Sequence, residues 1–193
     1  MTESELIEKS KAGDVEAFSQ LIRNYENKIF SLAHHVCAGM PSDAEDVYQE
    51  TFLSAFKNIK GFKNRSNLGT WLYRIAANLC WVRFRKKKRD PVVSILDRNR
   101  TDENGIQWEF KDWFPNPEEI SRKKELQEAV AKALSELPSD YRLVLTLRDI
   151  EGLSAEETAK ILKLSIPAVK SRLHRGRICL RERFEEEFKE KAK

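Results

Sequence analysis

The stretch from Asp90 to Ile120, DPVVSILDRNRTDENGIQWEFKDWFPNPEEI, is the feature that most limits how this chain of 193 residues can fold. It holds three of the six prolines and shows no sustained helical or strand period. Loops within compact domains rarely exceed roughly a dozen residues, so a segment this long is expected to connect two units as a flexible linker. The chain length suits two small domains better than one large one. The expected division is therefore residues 1–89, a linker at 90–120, and residues 121–193. Trp108, Phe110, Trp113 and Phe114 are unusual in solvated coil and imply that part of the linker docks on a partner or on a flanking unit.

Charge follows the same division. Residues 1–89 carry 15 Lys/Arg and 10 Asp/Glu, residues 90–120 carry 3 and 8, and residues 121–193 carry 17 and 13. Two basic units around an acidic connector point to an anionic partner touched at two places, with nucleic acid first among the choices. A hydrophobic content of 40% excludes a disordered tail, and no apolar run approaches the ~20 residues of a membrane-spanning helix. The N-terminus lacks the basic segment and apolar core of a secretory signal, so the expectation is a cytoplasmic protein without membrane insertion. Cys37, Cys80 and Cys179 are widely spaced and form no C-x-x-C pair, which reads as three plain thiols. His34, His35 and Cys37 cluster in sequence, but adjacent imidazoles on a helix diverge, so packing is favoured over metal binding. No cofactor is expected.

Both flanks read as helical, and no segment shows bounded two-residue alternation, so the expected fold is all-α with two small helical domains. Ser42-Asp43-Ala44-Glu45 matches a capping box, followed by Ala44, Tyr48, Thr51, Ala55 and Ile59 along one helical face. The other face carries Asp46, Gln49, Glu50 and Leu53. A leucine among carboxylates suits protein docking, because an apolar anchor ringed by charge supplies affinity and register. Asp43, Asp46 and Glu50 also admit a divalent-ion reading of lower rank, because no convergent third element accompanies them.

The segment Thr70 to Arg89, TWLYRIAANLCWVRFRKKKR, gathers Trp71, Leu72, Ile75, Leu79 and Val82 on a face expected to enter the core. Tyr73, Ala77, Cys80, Trp81 and Phe84 lie opposite, bordered by Arg74 and Arg85. Rings beside cations suit unpaired bases, which stack while their phosphates meet the basic groups. The alternative is a helix buried on both sides with a solvated basic tail. Ahead of it, Gly61 to Gly69 is a polar loop able to hold a flipped base.

The second unit contains DIEGLSAEETAKILKLSIPAVKSRLHRGR. Asn116-Pro117-Glu118-Glu119 predicts one helix start, Leu137-Pro138-Ser139 a helix junction, and Gly152 a helix stop. Ser154-Ala155-Glu156-Glu157 predicts a capped short helix; small Ala159 marks a close crossing, and a turn at Lys163 to Ser165 leads to a basic helix. Together these describe a helix-turn-helix whose second helix fits the DNA major groove. Val169 and Leu173 face inward, leaving Lys170, Ser171, Arg172, His174, Arg175 and Arg177 outside.

Taken in order, DAEDVYQETFLSAFKNIKGF, TWLYRIAANLCWVRFRKKKR, LPSDYRLVLTLRDIEGLSAEETAKIL and AVKSRLHRGR resemble the bacterial extracytoplasmic-function (ECF) sigma factors over about residues 10–89 and 121–187. The resemblance implies sigma domain two, a linker and sigma domain four, acting without catalysis in promoter recognition and DNA melting. It implies binding to core RNA polymerase through its β′ and β subunits, with Asp46, Gln49, Glu50 and Leu53 on the β′ coiled coil. It implies promoter −10 contacts by Lys63, Asn64, Arg65, Ser66, Asn67, Trp71, Tyr73, Arg74, Asn78, Trp81 and Arg85. It implies −35 contacts by Lys170, Ser171, Arg172, His174, Arg175 and Arg177, and regulation by an anti-sigma factor. The linker would follow the RNA exit channel. Three positions depart from the family pattern: Lys163 replaces a frequent turn glycine, Pro167-Ala168 replaces Gly-Thr, and Tyr48 replaces a small aliphatic residue. A stand-alone helix-turn-helix regulator, with the first unit as a sensor or dimerisation domain, is the other reading; a nuclease using Asp43, Asp46 and Glu50 ranks third.

Overall fold

The computed structural model describes residues 1–64, 66–86 and 129–191, and all regular structure among them is helical. Helix α1 (Glu3–Lys11) opens with a capping box in which the Glu5 N–H donates to Thr2 and the Thr2 N–H donates to Glu5. Helix α2 (Val15–Val36) starts at Asp14, whose carboxylate accepts the Ala17 N–H at 3.0 Å. Helix α3 (Pro41–Asn58) begins one residue before the expected capping box, and its N-cap, Met40, makes no side-chain capping bond. The cause is Pro41, whose fixed φ and missing N–H already fit the first helical position. Ser42 and Glu45 therefore sit inside the helix, with a Glu45 oxygen 3.5 Å from His34 Nε2.

A short 3-10 turn, Ile59–Gly61, leads to the loop before α4 (Leu68–Lys86). Asn67 Oδ1 accepts the Thr70 N–H at 2.6 Å and caps α4. Residues 129–136 form α5; α6 (Ser139–Leu145) continues into a π turn at Thr146–Ile150. Gly152, at φ +70°, reverses the chain there, as expected of the stop residue. Helix α7 (Ala155–Leu162) carries the expected capping box between Ser154 and Glu157, and α8 (Ile166–Lys191) follows it. The expected helix start at Asn116 to Glu119, the linker aromatics, Arg65 and the basic tail beyond Lys86 lie outside the described residues.

Helices α1 to α4 close around Leu21, Ile29, Leu32, Val36, Val47, Ile59 and Leu72. Helices α6 to α8 share Leu137, Val144, Leu145, Ala159, Val169 and Leu173. Gly176 lets α8 approach α6, since a Cβ there would lie 3.0 Å from Leu145 Cδ1 and 3.2 Å from Tyr141 Cβ. Ala159 is buried in this core as the motif requires.

The two units are packed against each other. Leu143, Leu147 and Ile161 of the second join the core cluster built by Val36, Leu72 and Tyr73 of the first. Arg142, only 6% exposed, spans the seam. Its guanidinium donates to the carbonyls of Val36 at 3.0 Å and of Ser135 and Leu137, both at 2.7 Å. Nearby, Glu151 accepts the hydroxyls of Ser31 at 2.6 Å and Tyr73 at 2.7 Å. One buried cation and one shared carboxylate thus tie two units that sequence periodicity could only separate.

Candidate functional site

Three surfaces carry the predicted site residues. On α3, Asp46, Gln49, Glu50 and Leu53 are all exposed, Leu53 by 58%. Their carboxylates are held from α4: Arg83 donates to both oxygens of Glu50 at 3.0 and 3.1 Å and lies 3.4 Å from Asp46. These bonds keep the Glu50 carboxyl below its usual range and raise the Arg83 guanidinium above its own. Because α3 and α4 are joined by a loop, no local pattern in the sequence connects Arg83 to Asp46 and Glu50. Asp43 is only 9% exposed and lines the groove between α3 and α4 together with Glu50, Arg83 and Lys86. Among the described residues no group of three His, Cys, Asp or Glu side chains is placed to hold a metal ion. His34 stacks on Phe30 at 4.0 Å while His35 Nδ1 meets the Ser31 carbonyl at 2.7 Å, so the two imidazoles diverge. Tyr48 is wedged edge-on between Phe30 at 5.8 Å and Phe52 at 5.3 Å, which accounts for an aromatic ring at that position.

The second surface is α4 with its preceding loop. Lys63, Asn64, Asn67, Asn78 and Arg85 are exposed, and Ser66, Trp71, Arg74 and Trp81 are half-buried. Asn64 adopts a left-handed backbone, φ +52°, which asparagine tolerates better than most residues. Trp71 packs on Phe62 with ring centroids 5.1 Å apart. The expected core face is corrected. Val82 is 40% exposed, whereas Tyr73, Ala76, Ala77 and Cys80 are 4% exposed or less. One face of the helix, Leu72, Tyr73, Ala76, Ala77 and Cys80, is buried, with part of its cover supplied by the second unit, while Asn78, Val82 and Arg85 opposite it are exposed. Tyr73 is enclosed there; burial and the hydrogen bond to Glu151 drive its hydroxyl well above the ordinary tyrosine range.

The third surface is α8. Lys170, Ser171 and His174 are exposed, while Val169 and Leu173 face the core as expected. Arg172 lies 3.3 Å from buried Asp140, and Arg177 makes a bidentate pair with Asp149 at 2.6 and 2.9 Å. Arg172 and Arg177 therefore serve the framework as well as the surface. Arg175 is half-buried on the same helix. Ahead of α8, Lys163 takes the left-handed conformation, φ +55°, that a glycine would adopt without strain. Ser165 Oγ accepts the Ala168 N–H at 3.3 Å, so a hydroxyl caps α8 from one turn earlier than the Gly-Thr pattern would place it.

Two known families match the chain in the same order as its two units. The sigma-70 region 2 family matches residues 21–90, and the sigma-70 region 4 family matches residues 127–180. The Bacillus subtilis ECF RNA polymerase sigma factor SigW is 36% identical over 180 residues, covering 92% of this chain and 94% of that protein. This chain belongs to the ECF sigma factor family. As a member it acts in promoter recognition and transcription initiation. The Salmonella typhimurium ECF RNA polymerase sigma-E factor is 34% identical over 178 residues, covering 92% of this chain and 91% of that one. The sigma factor RpoE of Bartonella quintana, solved with the anti-sigma factor NepR, shares the fold at TM-score 0.63 and 26% identity, over 89% of this chain and 98% of that chain. Among the described residues no helix is long and apolar enough to cross a membrane.

Proposed function

We propose that residues 1–89 of this sigma factor dock on core RNA polymerase and receive the −10 element, while residues 121–193 place the −35 duplex. The observation that carries the reading is the α3 face, where Leu53 stands 58% exposed among carboxylates fixed by Arg83. Such a preset ring lowers the ordering cost of association. Asp46, Gln49, Glu50 and Leu53 grip the β′ subunit, and the second unit meets β. Lys63 to Asn67, Trp71, Arg74, Asn78, Trp81 and Arg85 form the −10 surface, joined by Tyr73 once the units part. Lys170, Ser171, His174 and Arg175 contact the −35 duplex, with Arg172 and Arg177 holding the helix that presents them. The chain performs no covalent chemistry and works in the cytoplasm. Stacking of unpaired bases, at about 1–3 kcal/mol each, supplies the free energy of melting. An anti-sigma factor is its regulatory partner.

Run-off transcription with core enzyme over a library of upstream sequences tests this directly. The expected result is selective synthesis from templates sharing two spaced elements. Trp81→Ala should then reduce open-complex formation more than initial binding. Operator binding equally tight without core enzyme, or unchanged transcription on adding the protein, would overturn the proposal.

A further inference from the structure

The loop proposed to meet the −10 element runs into Gly69, the second residue of α4. Glycine is a poor helix former, and Gly69 has no left-handed backbone to justify it, so its use points to a close approach by another group. That group is Tyr25 of α2. A Cβ on Gly69 would lie 2.9 Å from Tyr25 Cε1 and 3.6 Å from its Cδ1. Carbon atoms in contact sit about 3.5–4.0 Å apart, so any side chain at position 69 would displace the ring or the start of α4.

The ring is itself held from behind. Its hydroxyl donates to Glu3 Oε2 at 2.8 Å, on the capped first turn of α1, and Lys28 Nζ stands 6.0 Å from its centroid. Burial first and the Glu3 carboxylate second push that hydroxyl up to about 12, so it stays a donor. At the far end of the same loop Phe62 packs on Trp71. At the near end Asn67 Oδ1 caps α4 through the Thr70 N–H, 3.6 Å from the Cβ position of Gly69. The loop is thus pinned at both ends, and Tyr25 is the contact at the second end that comes from another helix.

We propose that Tyr25 is a positioning residue for the −10 loop, its ring seated against Gly69 and holding Asn67 and the residues before it where they meet a promoter base. On the reading that this loop belongs to the −10 surface, base selection depends on a residue of α2 outside the loop itself. A loop held at both ends loses less freedom on meeting the right base and adapts less readily to a wrong one.

The test is run-off transcription by the full-length protein with core RNA polymerase on two template pools, one randomised at the −10 element and one at the −35 element, with the transcripts sequenced. Tyr25→Ala should lower the −10 base preference several-fold and leave the −35 preference unchanged, a split that a general loss of folded protein would not produce. Tyr25→Phe keeps the ring and should restore the wild-type profile. Gly69→Ala should flatten the −10 profile as well, and because both changes act through one contact, the double variant should lose no more than the worse single one. Gly69→Ala also keeps the role testable where Tyr25→Ala folds poorly. A −10 profile unchanged in Tyr25→Ala and Gly69→Ala, or losses that multiply in the double variant, would overturn the positioning role. Replacing Lys63 and Asn64 together by alanine separates that role from the reading beneath it. A −10 profile unmoved by those loop changes removes the loop from the −10 surface and the role of Tyr25 with it; a profile flattened by them but not by Tyr25→Ala removes the role of Tyr25 alone.

Discussion

The two helices proposed to read DNA, α4 and α8, have similar basic and amphipathic sequences but occupy opposite situations in the fold. Helix α8 offers Lys170, Ser171 and His174 to solvent, whereas α4 has Tyr73 enclosed and Trp81 half-buried. The difference follows from what each face contains. A face of lysine, serine and histidine gains nothing from being covered, while tyrosine, alanine and cysteine lose favourable burial if left open. The second unit supplies part of that cover through Leu143, Leu147 and Ile161. Full access to the aromatic face of α4 therefore requires the seam to open, and access to α8 does not. The α3 face proposed to dock on polymerase resembles α8 in being exposed in the free protein.

This contrast can be broken first at Arg142. Arg142→Ala removes the donor shared by carbonyls on both sides of the seam and should cost more than about 3 kcal/mol of stability in denaturant titration, since buried acceptors are left unmet. A loss as small as that of an exposed α8 variant such as His174→Ala would contradict the seam. Next, Glu151→Ala should weaken closure by about 2 kcal/mol, read as faster hydrogen exchange at Tyr73 and α7 with exchange in α3 unchanged. Leu53→Asp should sharpen the comparison from the other side, with about tenfold weaker binding to core RNA polymerase and an unaltered melting temperature. The smallest effect is expected at the turn before α8. Lys163→Gly should stabilise the second unit by about 1 kcal/mol, because the left-handed backbone no longer carries a Cβ. Destabilisation there would mean that the lysine stem contributes packing that outweighs the strain.

Much of the local architecture could be read in the chain. The Ser154 box, the stop at Gly152, the outward set Asp46, Gln49, Glu50 and Leu53, and the inward pair Val169 and Leu173 all depend on residues a few positions apart. Helix α3 starts two residues earlier than the Ser42 capping box predicts, because Pro41 and Ser42 are competing signals and the proline prevails. Arg83, Arg142, Glu151 and Gly176 were missed as structural residues. Each acts on a partner in a different element, and neither helical period nor capping pattern encodes which element that will be.

Sequence alone determined that this protein is helical, divided in two by an acidic connector, basic at both ends and built from sigma-factor motifs. Those properties rest on short-range sterics, capping and charge, which act before any tertiary contact forms. Only the tertiary structure decided which face of α4 the second unit covers and that Arg83 fixes the carboxylates of Asp46 and Glu50. Such choices depend on which faces bury the most apolar surface together while still satisfying every enclosed polar group, a condition settled over the whole molecule at once.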